Sequence, residues 1–231
     1  MEEMISFFAD LQSWQKLAWI IICLSAAFGI EMIRPLFKGG YRSWAHTRTN
    51  LVFLGTLLII NVIFGLLTLG LFAWIEATEW GLLNLVEWPL WAELLMAIMV
   101  FDLISQYVAH RTVHRVKPLW RIHLVHHSDT HVDATTGTRL HPLDFITRES
   151  FAVLAVFIMG APLGFYLFYR ILTIAFTYFN HSNVRLPLAV DKAISLLIIS
   201  PNTHKFHHHF EEPWTDRNFG NIFSIWDRIF G

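Results

Sequence analysis

Cysteine is almost absent from this chain. The single Cys23 cannot form an intrachain disulfide, which excludes a disulfide scaffold. Charge is scarce as well, at 15% of residues, against roughly 25% in an average soluble domain. The signs nearly cancel, with 17 Lys and Arg against 18 Asp and Glu. No basic excess marks a nucleic-acid partner. Glu-x-x-His, the repeated motif of soluble di-metal carboxylate bundles, occurs nowhere. Internal repeats, low-complexity tracts, long linkers and a soluble second domain are also missing. The first apolar run follows acids rather than bases, which does not fit a cleavable signal.

What fills the chain is apolar surface and histidine. Hydrophobic residues make up 55% and the mean hydropathy is +0.46, beyond the usual range of soluble domains. Crossing a bilayer takes roughly 20 apolar residues. Leu17–Ile33, Leu51–Ile75 and Leu90–Ala109 are three candidate spans, and the second carries no charge in 25 residues. Trp14, Trp19, Trp74, Trp88 and Trp91 cluster near the ends of these runs, as interfacial aromatics do. The 34–50 loop holds Arg34, Lys38, Arg42 and Arg48 without an acid, whereas 76–89 holds Glu76, Glu79 and Glu87 without a base. The positive-inside rule makes the basic loop cytoplasmic, so the third span delivers His110 to the cytoplasmic face.

Twelve of the thirteen histidines lie between His110 and His209; His46 stands apart. Eight form three clusters: His110 with His114, His123 with His126 and His127, and His204 with His207 and His208. Residues three and four apart share a helix face, so each cluster should aim its imidazoles at one spot. Neutral imidazole is the commonest metal ligand among side chains. Eight nitrogens exceed one four-coordinate site and suit two ions. Histidine-rich helices can merely scavenge metal, but the recurrence of one spacing argues for a built site. Imidazole alone does not choose among zinc, copper, iron and nickel.

His141 and His181 are candidate further ligands. His209, about 140° around a helix from His204, reads as solvated or behind the site. His131 reads as a polar loop residue and His46 as an ordinary interfacial one. Residues 151–180 form a fourth apolar run. A single crossing would strand His181 on the far side from His110. The run should therefore return, turning at Gly160-Ala-Pro-Leu-Gly164. Leu186–Ser200 reads as a short interfacial amphipathic helix, and 201–231 should lie under the bilayer. The expected architecture is all-α: an integral membrane bundle of about three spans plus a re-entering helical hairpin, with a cytoplasmic His-rich cap. Residues 1–100 form the amino-terminal membrane region and 101–231 the catalytic domain.

These motifs resemble the fatty acid hydroxylase / sterol desaturase superfamily of membrane di-iron oxidases. The resemblance runs from about Phe101 to the end. It rests on His110-x3-His114, the two His-x2-His-His motifs, Thr-Arg-Leu-His-Pro-Leu-Asp (138–144), Asn-His-Ser-Asn (180–183) and the closing segment 218–231. Asp144 departs from the family's frequent Glu, and His209 from its frequent Ser. The chain stops at Phe-Gly right after the last motif, so any longer tail should have been lost or trimmed.

The resemblance implies O2-dependent oxidation of a lipid C–H bond at two iron ions. The implied ligands are His110, His114, His123, His126, His127, His204, His207 and His208, with His181 added and His141 in related branches. Without a fused haem domain, electrons should come from a separate protein. Hydroxylation is the favoured outcome. Desaturation, ether-lipid monooxygenation and metal binding without turnover are the alternatives, and no Asp sits in a motif that would bridge two zinc ions.

Metal-bound imidazoles usually donate their other N–H to a carboxylate or carbonyl. Asp102, Asp129, Asp144 and Asp227 are the candidates for that role. Asp102 stands eight residues before His110, nominally two turns up the same face. The aromatic-rich hairpin, including Phe151, Phe157, Phe165, Tyr166, Phe168, Tyr169, Phe176, Tyr178 and Phe179, is expected either to line an alkyl channel or to pack against lipid. A compact unit without an organelle-retention tail suits a bacterial inner membrane.

Overall fold

The computed structural model describes residues 1–38, 43–211 and 214–231. Arg42, one of the charges used to orient the chain, lies outside them. Every regular element among the described residues is helical. The helices are α1 (Glu2–Ala9), α2 (Ser13–Ile33), α3 (Trp44–Thr78), α4 (Leu90–Phe101), α5 (Ala109–Arg115), α6 (Lys117–His127), α7 (Pro142–Met159), α8 (Leu163–His181), α9 (Leu188–Ile194), α10 (Pro201–His207) and α11 (Ile225–Phe230). α2, α3 and the continuous α4–α5 rod are long and apolar enough to cross a membrane. Much of their apolar surface is exposed; Ile59, Leu66 and Val62 each exceed 60%. In water such a surface would drive aggregation, whereas in lipid it is the solvent-facing surface.

The fourth apolar run does return. α7 ends at Gly160 in the left-handed region (φ 61°), and α8 starts three residues later. A Cβ on Gly160 would stand 1.8 Å from the Trp80 carbonyl oxygen and 2.7 Å from the Gly81 Cα. The turn thus needs glycine both for its φ and for close approach to the loop after α3. The Trp80 indole donates to the Phe157 carbonyl (2.9 Å) and closes the same corner. α1 packs on the start of α8, where Gly164 lies against the backbone of Ile5.

The core lies between the third span and the hairpin. Phe101, Ile98, Val156, Met159, Phe165 and Tyr169 are its buried centre. This corrects the channel expectation for the hairpin rings. Phe165, Tyr166 and Tyr169 fill the core, and Phe157 stacks on Trp74. Of the nine rings named, only Tyr178 lines the cavity beside the histidines. Phe168 packs against Phe8 of α1.

The rod of the third span is not a uniform α-helix. Asp102–Val108 is π-helical, which changes the angular step between α4 and α5. Counting two α-helical turns from Asp102 to His110 therefore does not hold. The Asp102 carboxylate accepts hydrogen bonds from the Ile222 and Phe223 amides and the Trp226 indole (3.3, 3.1 and 3.0 Å). It anchors the closing segment and touches no histidine.

At the opposite end from Gly160, several termini meet. Glu31, at the end of α2, accepts from the amides of Ala134 and Asn183, both at 2.7 Å. His46, at the start of α3, contacts Asp129 at 2.8 and 2.9 Å. The expectation that His46 is an ordinary interfacial residue is thereby corrected: it clamps α3 to the loop after α6. The expected interfacial helix is shorter than its apolar run, spanning Leu188–Ile194.

Candidate metal centre

α5, α6, α8 and α10 converge where those termini meet. Lys117-Pro118 starts α6 directly after α5, so the first two histidine motifs fold back on each other. Ser200 caps α10 by accepting from the Thr203 amide (3.2 Å), with Pro201 at its first position. Start signals of this kind place His204, His207 and His208 against α6 and α8.

Nine imidazoles assemble into two groups. One holds His110, His114, His123, His127 and His207; the other holds His126, His181, His204 and His208. Within each group the ligand nitrogens lie within 4.8 Å of one another. Each His-x2-His-His motif is divided between the groups. His123 and His127 join one while His126 joins the other, and His204 and His208 join the second while His207 crosses to the first. The expectation that each cluster aims at one spot holds for His110 with His114 and is corrected for the two triplets. An i, i+4 pair shares a face, and the residue between is turned enough to reach a neighbouring centre.

His181 arrives on the returning helix. Its Nε2 lies 3.2 Å from Nε2 of His126 and 3.0 Å from Nε2 of His204. His141 does not join either group; its Nδ1 accepts from the Leu143 amide (3.1 Å) and caps α7. The Nδ1 of His209 accepts from the Glu211 amide in a turn, and His131 contacts Thr130. Neither belongs to either group.

The outward nitrogens are fixed. Nδ1 of His110 faces the Phe219 carbonyl (2.9 Å), that of His207 the Arg217 carbonyl (2.8 Å) and that of His181 the Thr177 carbonyl (2.8 Å). Nδ1 of His114 meets Asp216 (2.8 Å) and that of His123 meets Asp144 (2.7 Å). These contacts put the proton on Nδ1 and turn the Nε2 lone pair inward. In the five-histidine group every Nε2 is buried without a hydrogen-bond partner. Buried acceptors without donors, as on His110, His114, His123 and His207, would be costly, and a cation among them removes the cost. The donor set therefore fits a pair of metal ions.

Electrostatics agree. Burial, then neighbouring imidazoles, hold His127, His204 and His208 well below the ordinary histidine range. Burial brings His207 down to about 3. The rings are neutral, the protonation state that ligation requires.

Of the four proposed carboxylates, Asp144 alone touches a grouped imidazole, and its other oxygen accepts from Arg148 (3.2 Å). Asp227 acts one step removed: it accepts from the Phe219 and Gly220 amides (2.7 and 3.0 Å) and so positions the carbonyl facing His110. Asp129 serves His46 and Thr136. Sequence reasoning missed Asp216, which sits in a turn at φ 56° with no helical spacing to betray it.

A cavity of about 200 Å³ adjoins the histidines. His110, His126, His181 and His204 line it, together with Leu54, Leu57 and Leu58 of α3 and Ile174 of α8. A helical membrane protein with a paired, all-imidazole site opening on an apolar cavity is the class these observations define. The family profile described as fatty acid hydroxylase matches residues 94–231. The chain belongs to that family.

Among curated relatives, it is 26% identical over 145 residues to an ornithine lipid hydroxylase, OlsE, of Rhizobium tropici, covering 63% of this chain and 43% of that protein. It is 29% identical over 126 residues to the alkylglycerol monooxygenase of Homo sapiens, covering 54% and 27%. The Caenorhabditis elegans alkylglycerol monooxygenase is 25% identical over 134 residues, covering 57% and 25%. The chain thus matches less than half the length of each of these relatives. No solved structure matches it.

Proposed function

We propose that the chain is a membrane-embedded, O2-dependent lipid monooxygenase that hydroxylates a C–H bond, with two iron ions held by the nine grouped histidines. The observation that carries this reading is the set of inward, partnerless Nε2 atoms beside a cavity whose α3 wall carries Leu54, Leu57 and Leu58. Bound iron would supply O2 activation and the oxidising power for C–H cleavage. The protein's own share is separable. Asp144, Asp216 and the carbonyls of Phe219, Arg217 and Thr177 orient the rings. The apolar wall of the cavity suits an alkyl chain and keeps water from the reacting carbon. Relatives named as lipid hydroxylase and alkylglycerol monooxygenase support this chemistry, and the second name favours an ether lipid as the next substrate to try.

Electrons come from a separate protein in this reading. In the same reading the histidines face the cytoplasm of a bacterial inner membrane: Arg34 and Arg48, two of the cations that orient the chain, lie at the end of α2 and in the first turns of α3, where Glu31 and His46 join the histidine-bearing end of the bundle. A reporter inserted after Asn183 should be cytoplasmic, and one near Ala161 should not.

The decisive experiment compares lipids from cells making the intact protein with those from cells making a His126→Ala/His127→Ala form. Gain of one oxygen atom in a lipid marks hydroxylation. Loss of two hydrogens marks desaturation. Identical lipid profiles, with iron bound and reducible, would leave a metal-binding protein without turnover.

A further inference from the structure

Eleven residues before His181, α8 carries a charge. Arg170 Nη1 donates to Glu149 Oε1 of α7 at 2.6 Å, and Nη2 donates to Asn61 Oδ1 of α3 at 3.3 Å. Asn61 lies halfway along α3 and is exposed, whereas Glu149 is 5% exposed. Ionisable groups at this depth are costly, and they mark substrate paths more often than they stabilise. This trio lines the same cavity as the histidines. Arg170, Thr173, Ile174, Thr177 and His181 form one stripe of α8, at i, i+3, i+4, i+7 and i+11, and all five line the cavity. The stripe puts the Cα of Arg170 roughly 16 Å along the helix axis from that of His181.

A guanidinium has five N–H donors. Glu149 and Asn61 take two, and the guanidinium carbon stands 5.9 Å from the centre of the Tyr166 ring, which leaves donors for a ligand. Glu149 already balances the charge, so a carboxylate or phosphate arriving there would meet a like charge. A charged headgroup is also expensive to bring to mid-membrane. A neutral oxygen, hydroxyl or carbonyl, suffers neither cost.

We propose that Arg170, held by Glu149 and Asn61, is a specificity-determining contact for a neutral oxygen carried by the lipid substrate, about three turns of α8, or roughly 16 Å of helix rise, from the carbon presented to the histidines. An extended chain advances roughly 1.2 Å per bond, so about thirteen bonds separate the two points. The inference rests on the lipid-oxidase reading for the oxidation step, but not for binding itself.

The test is equilibrium binding of tritiated tetradecan-1-ol and tetradecane to the purified protein in phosphatidylcholine nanodiscs, with empty discs subtracted. The intact protein should prefer the alcohol about tenfold, the size of one charge-assisted hydrogen bond. Arg170→Met/Glu149→Met, which removes both charges and the guanidinium donors together, should abolish the preference while tetradecane still binds. If that form does not fold, Asn61→Leu leaves the ion pair intact and should lower the preference about threefold through a looser guanidinium. Equal binding of the two probes to the intact protein, or an undiminished preference in the folded variant, overturns the proposal. A preference without lipid oxidation would instead count against the oxidase reading alone.

Discussion

Asp144 Oδ2 stands 2.7 Å from Nδ1 of His123, with both side chains fully buried. The carboxylate sets the tautomer of that imidazole and raises its basicity as a ligand. Asp144→Asn keeps the volume and removes the charge. Metal affinity should fall about 10- to 100-fold, read by competition with a graded chelator. An unchanged affinity would remove Asp144 from the site's support.

His181 is one of four nitrogens in its group, and His141 is in neither group. His181→Ala should cost about one equivalent of metal while the five-histidine group keeps its own, measured by elemental analysis per protein. His141→Ala should retain both equivalents and lose only a helix cap, about 1 kcal/mol of stability. Loss of metal from the His141 variant would reverse the assignment.

Asp102 holds three donors of the closing segment. Asp102→Ala would leave the Ile222 and Phe223 amides and the Trp226 indole buried without an acceptor, at about 1–3 kcal/mol each. The expected result is a lower unfolding temperature and slower metal loading, since the Phe219 carbonyl that faces His110 lies on the same segment. Trp226→Phe, which removes one donor with its bond, should be milder.

Acid should weaken the metal-free protein. Burial lowers the folded-state affinity of His127, His204, His207 and His208 for protons. The unfolded chain protonates the same rings near pH ~6.5. Stability is therefore full above that pH. It falls as the pH drops below it, because only the unfolded state gains protons, by up to about 1.4 kcal/mol per pH unit for each such ring. Thermal unfolding in chelator between pH 8 and pH 5 measures the slope. A flat profile would show that these rings are not held neutral, and metal-loaded protein should fall off at lower pH than the metal-free form.

The histidine motifs, the three apolar runs and the glycine-proline turn at 160–164 were legible because each is a local pattern. Helical period and chain-breaking residues act over a few positions, so the return of His181 could be read from them. The loop-bound partner of His114 was not legible: Asp216 lies 102 residues away in sequence and shares no period with it. The backbone carbonyls of Phe219, Arg217 and Thr177 are invisible to a reading by residue type, since every residue has one. The clamp of His46 on Asp129 likewise depends on α3 starting beside the loop after α6.

The sequence by itself determined that imidazoles gather near one end of a membrane bundle, because helical spacing is a property of the chain alone. The tertiary structure alone decided how they are shared. Packing of α6 and α10 against α5 and α8 divides each motif between two centres. Distant acceptors then turn each ring, because a ring's orientation is set by the hydrogen bond behind it.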